Sequence, residues 1–139
     1  MSYRRRIQVE FNHCDPAGIV FYPRYFEMLN SVIENFFADV LAYPFTRIHV
    51  EEKCAVPTVQ IDAGFQAVSR LGEMLEFTLE VQHVGRSSAR LAQRATAGGQ
   101  VKLQCTSTLV WVTPDGRAAP WPEEIRQKMI AFMEANDGA

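Results

Sequence analysis

The spacing of hydrophobic residues changes several times along this chain, and each spacing predicts a different element. Near the start, Ile7, Val9 and Phe11 alternate with polar residues, which predicts a half-buried strand over residues 5–11. Helical spacing takes over from residue 23 to residue 41. One apolar stripe is formed there by Tyr25, Phe26, Leu29, Val32, Ile33, Phe36, Phe37 and Val40. A helix with so many aromatic residues needs a large surface to cover it.

Alternating spacing predicts that most of the remaining chain forms strands. These strands cover residues 55–67, 74–84, 87–97 and 101–113. A loop over 42–54 precedes them, and Gly98-Gly99 is a strong hairpin signal between the last two. A short helix is predicted over 122–134. The order of strand, long helix, four strands and short helix is typical of an α+β domain, and we expect one such domain over residues 1–139.

The strand predicted over 55–67 has two different faces. Its apolar face is formed by Val59, Ile61, Ala63 and Phe65. Its polar face is formed by Thr58, Gln60 and Asp62. Asp62 is therefore an acid that can face either a substrate or a neighbouring subunit.

Composition and charge narrow the class of protein. The chain has 139 residues, of which 47% are hydrophobic and 22% are charged, as in soluble globular proteins. A net charge of −2 gives no electrostatic reason to expect nucleic-acid or membrane binding. The one basic cluster, Arg4-Arg5-Arg6, is interpreted as the solvated start of an edge strand rather than as a phosphate site.

The cysteines and the lengths of the apolar runs indicate the cellular compartment. Cys14, Cys54 and Cys105 are widely spaced and form no CxxC pair. No apolar run in the sequence reaches membrane length, and we expect no secretory leader. We therefore expect reduced thiols in a cytoplasmic protein.

The strongest chemical signal is the segment 12–25, in which Asp15 lies in a turn of Pro and Gly residues just before the long helix. Free backbone N–H groups and the helix dipole at the start of a helix stabilise developing negative charge. A carboxylate that faces such a helix end is suited to splitting an acyl bond. The alternative is that Asp15 only organises the turn or caps the helix.

The motif Asp15-Pro16-Ala17-Gly18-Ile19-Val20-Phe21-Tyr22-Pro23 resembles the active-site loop of the 4-hydroxybenzoyl-CoA-thioesterase family of hot-dog enzymes. The resemblance implies the hot-dog fold, in which a five-stranded antiparallel sheet wraps around a long central helix and a short C-terminal helix follows. It also implies hydrolysis of an acyl-CoA thioester to the free acid and CoA, with no metal or other cofactor. In that reaction Asp15 acts as nucleophile or general base, the Tyr22 backbone amide polarises the carbonyl, and Gly18 lets the chain turn.

Two positions depart from the family pattern. Asn30 occupies a position where the 4-hydroxybenzoyl enzymes carry an acid near the aryl end of the substrate. The expected acyl group is aromatic and 4-hydroxybenzoyl-like, and this departure concerns the choice of acyl group rather than hydrolysis. His13 stands where an acid is commoner, and it either tunes Asp15 or is a loop histidine. Asp62 is a third candidate for the substrate site, with a subunit contact as its alternative.

For the CoA end of the substrate, the resemblance points to the strand junction at Arg86, Ser87 and Ser88. A guanidinium and hydroxyl groups are suited to CoA phosphates, although a plain surface role for Arg86 is the alternative. The family pairs sheets across a two-fold axis and builds the acyl site between subunits. We therefore expect a homodimer at least, and a homotetramer as the larger assembly.

Other functions fit these residues less well. A metal site from His13, Cys14 and Asp15 finds no further ligands at suitable spacing. A Cys14–His13 nucleophilic pair is disfavoured because adjacent strand residues point to opposite faces. The Asp/His motif typical of hot-dog hydratases is not found. The remaining alternative is a non-catalytic module that binds acyl-CoA or acyl-carrier protein, but such a module has no need of a carboxylate beside the thioester.

Overall fold

Five strands and two long helices follow one another in the predicted order. The computed structural model describes residues 2–137, so Met1, Gly138 and Ala139 at the ends of the predicted domain lie outside the described residues. The strands are β1 (Tyr3–Gln8), β2 (Thr58–Phe65), β3 (Met74–Val84), β4 (Ser88–Ala97) and β5 (Gln100–Val110). The long helices are α1 (Pro23–Asp39) and α2 (Glu123–Asp137). The α+β class is confirmed.

All five strands form one antiparallel sheet in the order β1-β3-β4-β5-β2. Buried and more exposed residues alternate along the three central strands, as expected for a sheet with one face in the core. The β4–β5 hairpin turns at Gly98 and Gly99, whose φ angles of 57° and 76° suit a two-residue turn. β1 and β2 are the edges, so each presents unpaired backbone groups on its outer side.

Helix α1 lies on the inner face of the sheet and supplies much of the core. Its buried residues are Tyr25, Met28, Leu29, Val32, Ile33, Phe36 and Phe37. Pro23 is the first helical residue, where its missing N–H costs no hydrogen bond. The Phe36 ring packs against the rings of Tyr3, Phe37 and Phe132, with centroid distances of 5.9, 6.0 and 5.2 Å. Most of the predicted apolar stripe is therefore the interior of the domain.

Replacing Phe36 with alanine should lower the free energy of unfolding by about 3–5 kcal/mol, because the fully buried side chain leaves a cavity. Urea denaturation followed by circular dichroism measures the change. Phe11→Ala is the matched control, since the Phe11 side chain is 84% exposed and its loss should change stability little. A loss at Phe36 no larger than the loss at Phe11 would contradict the central position of α1.

Several predicted boundaries differ from the observed ones by one to three residues, and two differences have a local cause that hydrophobic spacing does not report. The first strand ends at Gln8 rather than at residue 11, because the chain enters a short 3₁₀ helix at Phe11–His13. There His13 Nδ1 accepts a hydrogen bond from the Glu10 N–H at 2.8 Å and so occupies a donor that a strand would need. The predicted loop over 42–54 contains a π-helical segment, Thr46–Glu51, with Ile48 buried in the core.

A bulge in β2 changes the face on which one residue lies. Thr58 pairs with Leu109 although Gln60 pairs with Thr108, so two steps along β2 oppose one step along β5. Thr58 therefore turns to the inner face, which Ile61 also occupies. Its predicted place on the polar face is wrong.

Candidate active site

Asp15 lies at the start of a tight hairpin between β1 and α1. Cys14 pairs with Val20 across this hairpin. The Gly18 N–H donates to the Asp15 carbonyl at 2.9 Å, and the Asp15 N–H donates to the Ile19 carbonyl at 3.0 Å. Gly18 has a φ of 80°, a conformation that residues with a Cβ adopt only with strain. Glycine is thus the residue that this turn requires.

The half-buried Asp15 carboxylate uses only one of its oxygens within the chain. Its Oδ1 accepts a hydrogen bond from the Ala17 N–H at 2.8 Å, which closes the turn. Oδ2 accepts no hydrogen bond from residues 2–137. A turn-forming role needs a single oxygen, so the second oxygen is available to a ligand.

The start of α1 offers a free backbone donor a few residues beyond Asp15. Tyr22 immediately precedes the helix, with φ and ψ of −52° and −35°, and its N–H meets no acceptor in the described part of the chain. Because the first N–H groups of a helix form the positive end of its dipole, this amide is suited to a developing oxyanion. The neighbouring Phe21 N–H donates to the His13 carbonyl at 2.9 Å, which ties the helix start to the hairpin.

The segment between β2 and β3 holds the hairpin in place. The Val20 N–H donates to the Ser69 carbonyl at 2.9 Å, and the Leu71 N–H donates to the Gly18 carbonyl at 3.1 Å. Ser69 is fully buried, and its hydroxyl accepts a hydrogen bond from the Tyr25 hydroxyl at 2.8 Å. Burial raises the pKa of Tyr25, which keeps the phenol protonated as a donor. The Asp15 hairpin, α1 and the segment between β2 and β3 are therefore joined by hydrogen bonds into one unit.

A buried lysine, Lys102, anchors the same segment to β5. Its Nζ donates to the Val68 carbonyl at 2.8 Å and lies 3.3 Å from Glu73 Oε2. The pKa of Glu73 is lowered, first by the hydrogen bond from the Arg70 N–H and also by Lys102. The carboxylate therefore stabilises the fold at pH values above its unfolded pKa, and this contribution is lost as the pH falls through the lowered folded pKa.

Two cavities follow the side of α1 that is turned towards β2. The near cavity, of about 580 Å³, begins at the helix start, and its lining includes Tyr22, Tyr25 and Phe65. The far cavity, of about 300 Å³, lies further along the helix, and its lining includes Phe26, Asn30, Ile61, Gln93, Cys105 and Ser107. The Phe65 ring contacts both regions, since its centroid is 5.5 Å from that of Tyr25 and 6.1 Å from that of Phe26. An acyl group whose carbonyl lies at the free amide can thus extend along α1.

Two of the predicted substrate residues lie close to this groove. Asn30 is exposed and lines the far cavity. His13 belongs to the chain turn that leads into the hairpin, and its imidazole contacts the Glu10 backbone. Among the described residues no hydrogen bond joins His13 to Asp15, so the geometry favours the loop histidine over a residue that tunes Asp15 directly.

Within one chain, the fold does not place Asp62 or the predicted CoA residues beside Asp15. Asp62 lies on the outer face of the sheet, opposite Thr106. Arg86 and Ser87 lie in the connection between β3 and β4, and Ser88 is the first residue of β4. These residues are at the opposite end of β3 from the Asp15 hairpin, and the 11-residue strand that separates them is roughly 33 Å long at 3.3 Å per residue.

Gln93 and Ser107 are residues of the groove that the sequence pattern could have revealed. Each is only 4% exposed and lines the far cavity. Both occupy inward positions of their strands, at which the neighbouring inward residues are apolar. A polar residue at an inward strand position was the available signal, because such positions are apolar unless a hydrogen bond compensates.

Other reactive groups of the chain are dispersed. Within residues 2–137, no three His, Cys, Asp or Glu side chains are gathered as a metal ion would need. Cys14, Cys54 and Cys105 are all free thiols. No helix in the described range combines the length and the hydrophobicity that crossing a membrane requires.

Comparison with known proteins gives one family and a consistent set of relatives. The thioesterase-like superfamily matches residues 9–129 of the chain. The curated 4-hydroxybenzoyl-CoA thioesterase of Pseudomonas sp. (strain CBS-3) is 30% identical over 100 residues, which cover 69% of this chain and 71% of the relative.

Solved structures agree with the described fold. The structure of 4-hydroxybenzoyl-CoA thioesterase from Pseudomonas sp. strain CBS-3 superposes with a TM-score of 0.83 at 24% identity, covering 91% of this chain and 97% of that chain. A 1,4-dihydroxy-2-naphthoyl-CoA thioesterase from Synechocystis superposes with a TM-score of 0.85 at 17% identity, covering 94% and 96%. These superpositions confirm the predicted hot-dog fold.

Proposed function

The chain belongs to the thioesterase-like superfamily and is a thioester hydrolase, and from this premise we propose that it cleaves an acyl-CoA thioester at the Asp15 hairpin. One observation carries the proposal. An Asp15 carboxylate oxygen and the Tyr22 N–H, both free of hydrogen bonds within the described chain, lie on one short hairpin and the helix start that follows it. Together they supply an attacking or proton-accepting group and a donor for an oxyanion.

The Tyr22 amide acts on the carbonyl oxygen in the proposed reaction. This oxygen accepts the hydrogen bond of the Tyr22 N–H at the positive end of the α1 dipole. As the carbonyl carbon becomes tetrahedral, negative charge grows on the oxygen and the hydrogen bond strengthens. Collapse of the tetrahedral species breaks the C–S bond and releases the CoA thiolate, which takes up a proton from water.

Asp15 has two routes to the same products. As a nucleophile, its free oxygen bonds to the carbonyl carbon and displaces the CoA thiolate, and water then hydrolyses the resulting anhydride. As a general base, it takes a proton from the water molecule that attacks the carbonyl carbon. Both routes need the carboxylate and the Tyr22 amide in the same places.

We infer that the acyl group is aromatic and occupies the near and far cavities. The near cavity is apolar and offers the rings of Tyr22, Tyr25 and Phe65 to a planar group. The curated relative and the Synechocystis protein are both named for aryl-CoA substrates. Asn30 lines the far cavity as an uncharged amide, at the end of the groove remote from the thioester.

Comparison of benzoyl-CoA with hexanoyl-CoA tests this assignment of the acyl group. We expect the protein to release free acid and CoA thiol in equal amounts, with kcat/KM at least about tenfold higher for the aryl substrate. Thiol titration and mass spectrometry measure the two products. A preference for the alkyl substrate would overturn the aromatic assignment, and a rate of zero with both would favour the acyl-CoA or acyl-carrier-protein binding module.

We propose that a second copy of the chain completes the site. The edge strand β2 exposes Val59, Ile61 and Phe65 by 59%, 44% and 45%, whereas edge strands of monomers are usually protected. Antiparallel pairing of β2 with β2 of a second copy would cover these side chains. It would also set the Phe65 end of one strand against the Thr58 end of the other.

Such pairing would account for the separation of Asp15 from the predicted CoA residues. Phe65 contacts Tyr22, whereas Thr58 is at the end of the sheet where β4 begins. Arg86 of the partner subunit would therefore lie towards the Asp15 hairpin, where its guanidinium can bind CoA phosphates. Asp62 lies on β2 and would fall at the same subunit contact. Two such dimers would form the expected tetramer.

Arg86→Ala should raise KM for benzoyl-CoA about tenfold or more and leave kcat nearly unchanged. A charge-assisted hydrogen bond is worth about 1.5–3 kcal/mol, and the phosphates are remote from the reacting carbon. Steady-state kinetics measure both constants. Arg4→Ala, on the opposite edge strand, is the matched control and should leave both unchanged. If Arg86→Ala has the wild-type KM, Arg86 is a plain surface residue.

A further inference from the structure

The far cavity contains two buried polar atoms that have no partner. Gln93 Oε1 and Ser107 Oγ make no hydrogen bond within the described chain, and both residues line this cavity. Gln93 Nε2 donates to the Leu29 carbonyl at 3.2 Å. Because that carbonyl can only accept, the amide nitrogen must face it, and Oε1 is the atom left without a donor.

Two unpaired polar atoms in one cavity indicate a place for a ligand group. Buried polar atoms without partners are costly and native proteins contain few of them. Gln93 pairs with Cys105 across the β4–β5 ladder, so Ser107, two residues further along, is its diagonal neighbour. Side chains in that relation are close enough for one small group to contact both.

The lining of the far cavity defines the chemistry of that group. No charged side chain is among its described lining residues. Cys105 is also neutral there, because burial raises its pKa to about 11. A carboxylate would find no cation, whereas Gln93 Oε1 requires a donor and the Ser107 hydroxyl can supply one. A hydroxyl group both donates and accepts, and it therefore suits the pair.

We propose that Gln93 and Ser107 form a hydroxyl-recognition site, which selects acyl groups that carry a hydroxyl remote from the thioester. The ligand hydroxyl donates to Gln93 Oε1 and accepts from Ser107 Oγ. This inference rests on the proposed function, because the thioester carbonyl at Tyr22 directs the acyl group along α1 into the far cavity. In this proposal the specificity of the enzyme is determined by two residues of the sheet as well as by Asn30 of the helix.

The test compares CoA thioesters that differ only by one hydroxyl group, namely benzoyl-CoA, 3-hydroxybenzoyl-CoA and 4-hydroxybenzoyl-CoA. We expect kcat/KM for at least one hydroxylated compound to exceed that for benzoyl-CoA by about tenfold or more, since unpaired polar groups in a site disfavour an analogue that lacks the partner. Gln93→Leu and Ser107→Ala should each reduce this preference about fivefold or more. The loss should be larger for the hydroxylated substrate than for benzoyl-CoA, so that the ratio of the two kcat/KM values falls.

Two controls separate recognition from folding. Gln104→Leu makes the matching change at an exposed position on the outer face of β5 and should leave the preference unchanged. Ser107→Ala should keep the wild-type Tm or raise it, because Ser107 Oγ has no partner to lose. The inference is overturned if the wild type does not distinguish hydroxylated from plain substrates, or if the preference survives in both Gln93→Leu and Ser107→Ala.

Failure of the proposed function would give a different result. If the wild type cleaves no thioester, isothermal titration calorimetry with 4-hydroxybenzoyl-CoA, 3-hydroxybenzoyl-CoA and benzoyl-CoA replaces the rates. A lower Kd for a hydroxylated compound that Gln93→Leu abolishes would support the recognition site without hydrolysis. Equal Kd values, or no binding of any of the three, would overturn it.

Discussion

Asp15→Asn should lower kcat for benzoyl-CoA by about 10²–10⁴-fold, the range in which removal of a catalytic acid or base falls. Asparagine cannot take a proton from water, and its amide is a poor nucleophile towards a thioester. It does keep an oxygen that can accept the Ala17 N–H, so the turn should survive the change. Continuous titration of released CoA thiol measures the rate, and the KM for benzoyl-CoA should stay within a few-fold of wild type.

A control variant for this prediction is Asp115→Asn. Asp115 also lies in a turn that contains a proline and a glycine, at 114–116, and should tolerate the same change with a wild-type rate. Equal Tm values for wild type and Asp15→Asn would show that the lost rate is chemical. An Asp15→Asn variant that keeps more than a tenth of the wild-type kcat would reduce Asp15 to an organiser of the hairpin.

Tyr22→Pro should lower kcat by about 10²–10³-fold, as removal of one oxyanion donor does. Proline lacks the N–H that is proposed to bind the carbonyl oxygen. Its ring fixes φ near −65°, and the φ of −52° at Tyr22 lies within that range. Pre-steady-state measurement of thiol release at saturating benzoyl-CoA separates a slower chemical step from weaker binding.

The matched comparison for the amide is Tyr22→Ala, which removes the 58% exposed side chain and keeps the N–H. It should retain kcat within a few-fold of wild type, with any loss appearing in KM because the ring lines the near cavity. Circular dichroism checks that α1 persists in both variants. If Tyr22→Ala loses as much kcat as Tyr22→Pro, the side chain rather than the amide carries the effect.

The spacing of hydrophobic residues predicts the main elements of the architecture well. The aromatic stripe of α1 and the alternation in β3, β4 and β5 predict one helix against an antiparallel sheet, and the structure has both. Gly98 and Gly99 mark the β4–β5 hairpin because both adopt a positive φ. Residue periodicity does not predict the order of strands within a sheet. The expectation that the sheet wraps around the helix came instead from the resemblance of the Asp15 motif to the hot-dog enzymes.

The errors arise where a local interaction overrides the hydrophobic pattern. Phe11 continues the alternation of β1, but the hydrogen bond of the Glu10 N–H to His13 ends the strand first. The bulge in β2 reverses the face of Thr58, and no turn residue announces it. The first effect is a side-chain hydrogen bond and the second depends on a strand distant in the sequence, so residue spacing contains neither.

The part of the candidate site that is local in sequence was predictable, and the parts that come from distant segments were not. The Asp15 hairpin is local, and its Pro and Gly residues predict the turn in which the structure places the carboxylate. The support by Ser69 and Lys102 comes from segments more than forty residues away. The predicted CoA residues belong to the opposite end of the sheet, and the proposed completion of the site by a second subunit cannot be derived from contacts within one chain.

The most direct test of the account is the release of CoA thiol from benzoyl-CoA by the wild-type protein, with calorimetric binding of the same compound in parallel. We predict multiple turnovers by the wild type, and binding with little turnover by Asp15→Asn. Binding of benzoyl-CoA with no thiol release by the wild type would contradict the account. The chain would then be an acyl-CoA binding module in which Asp15 only shapes the hairpin.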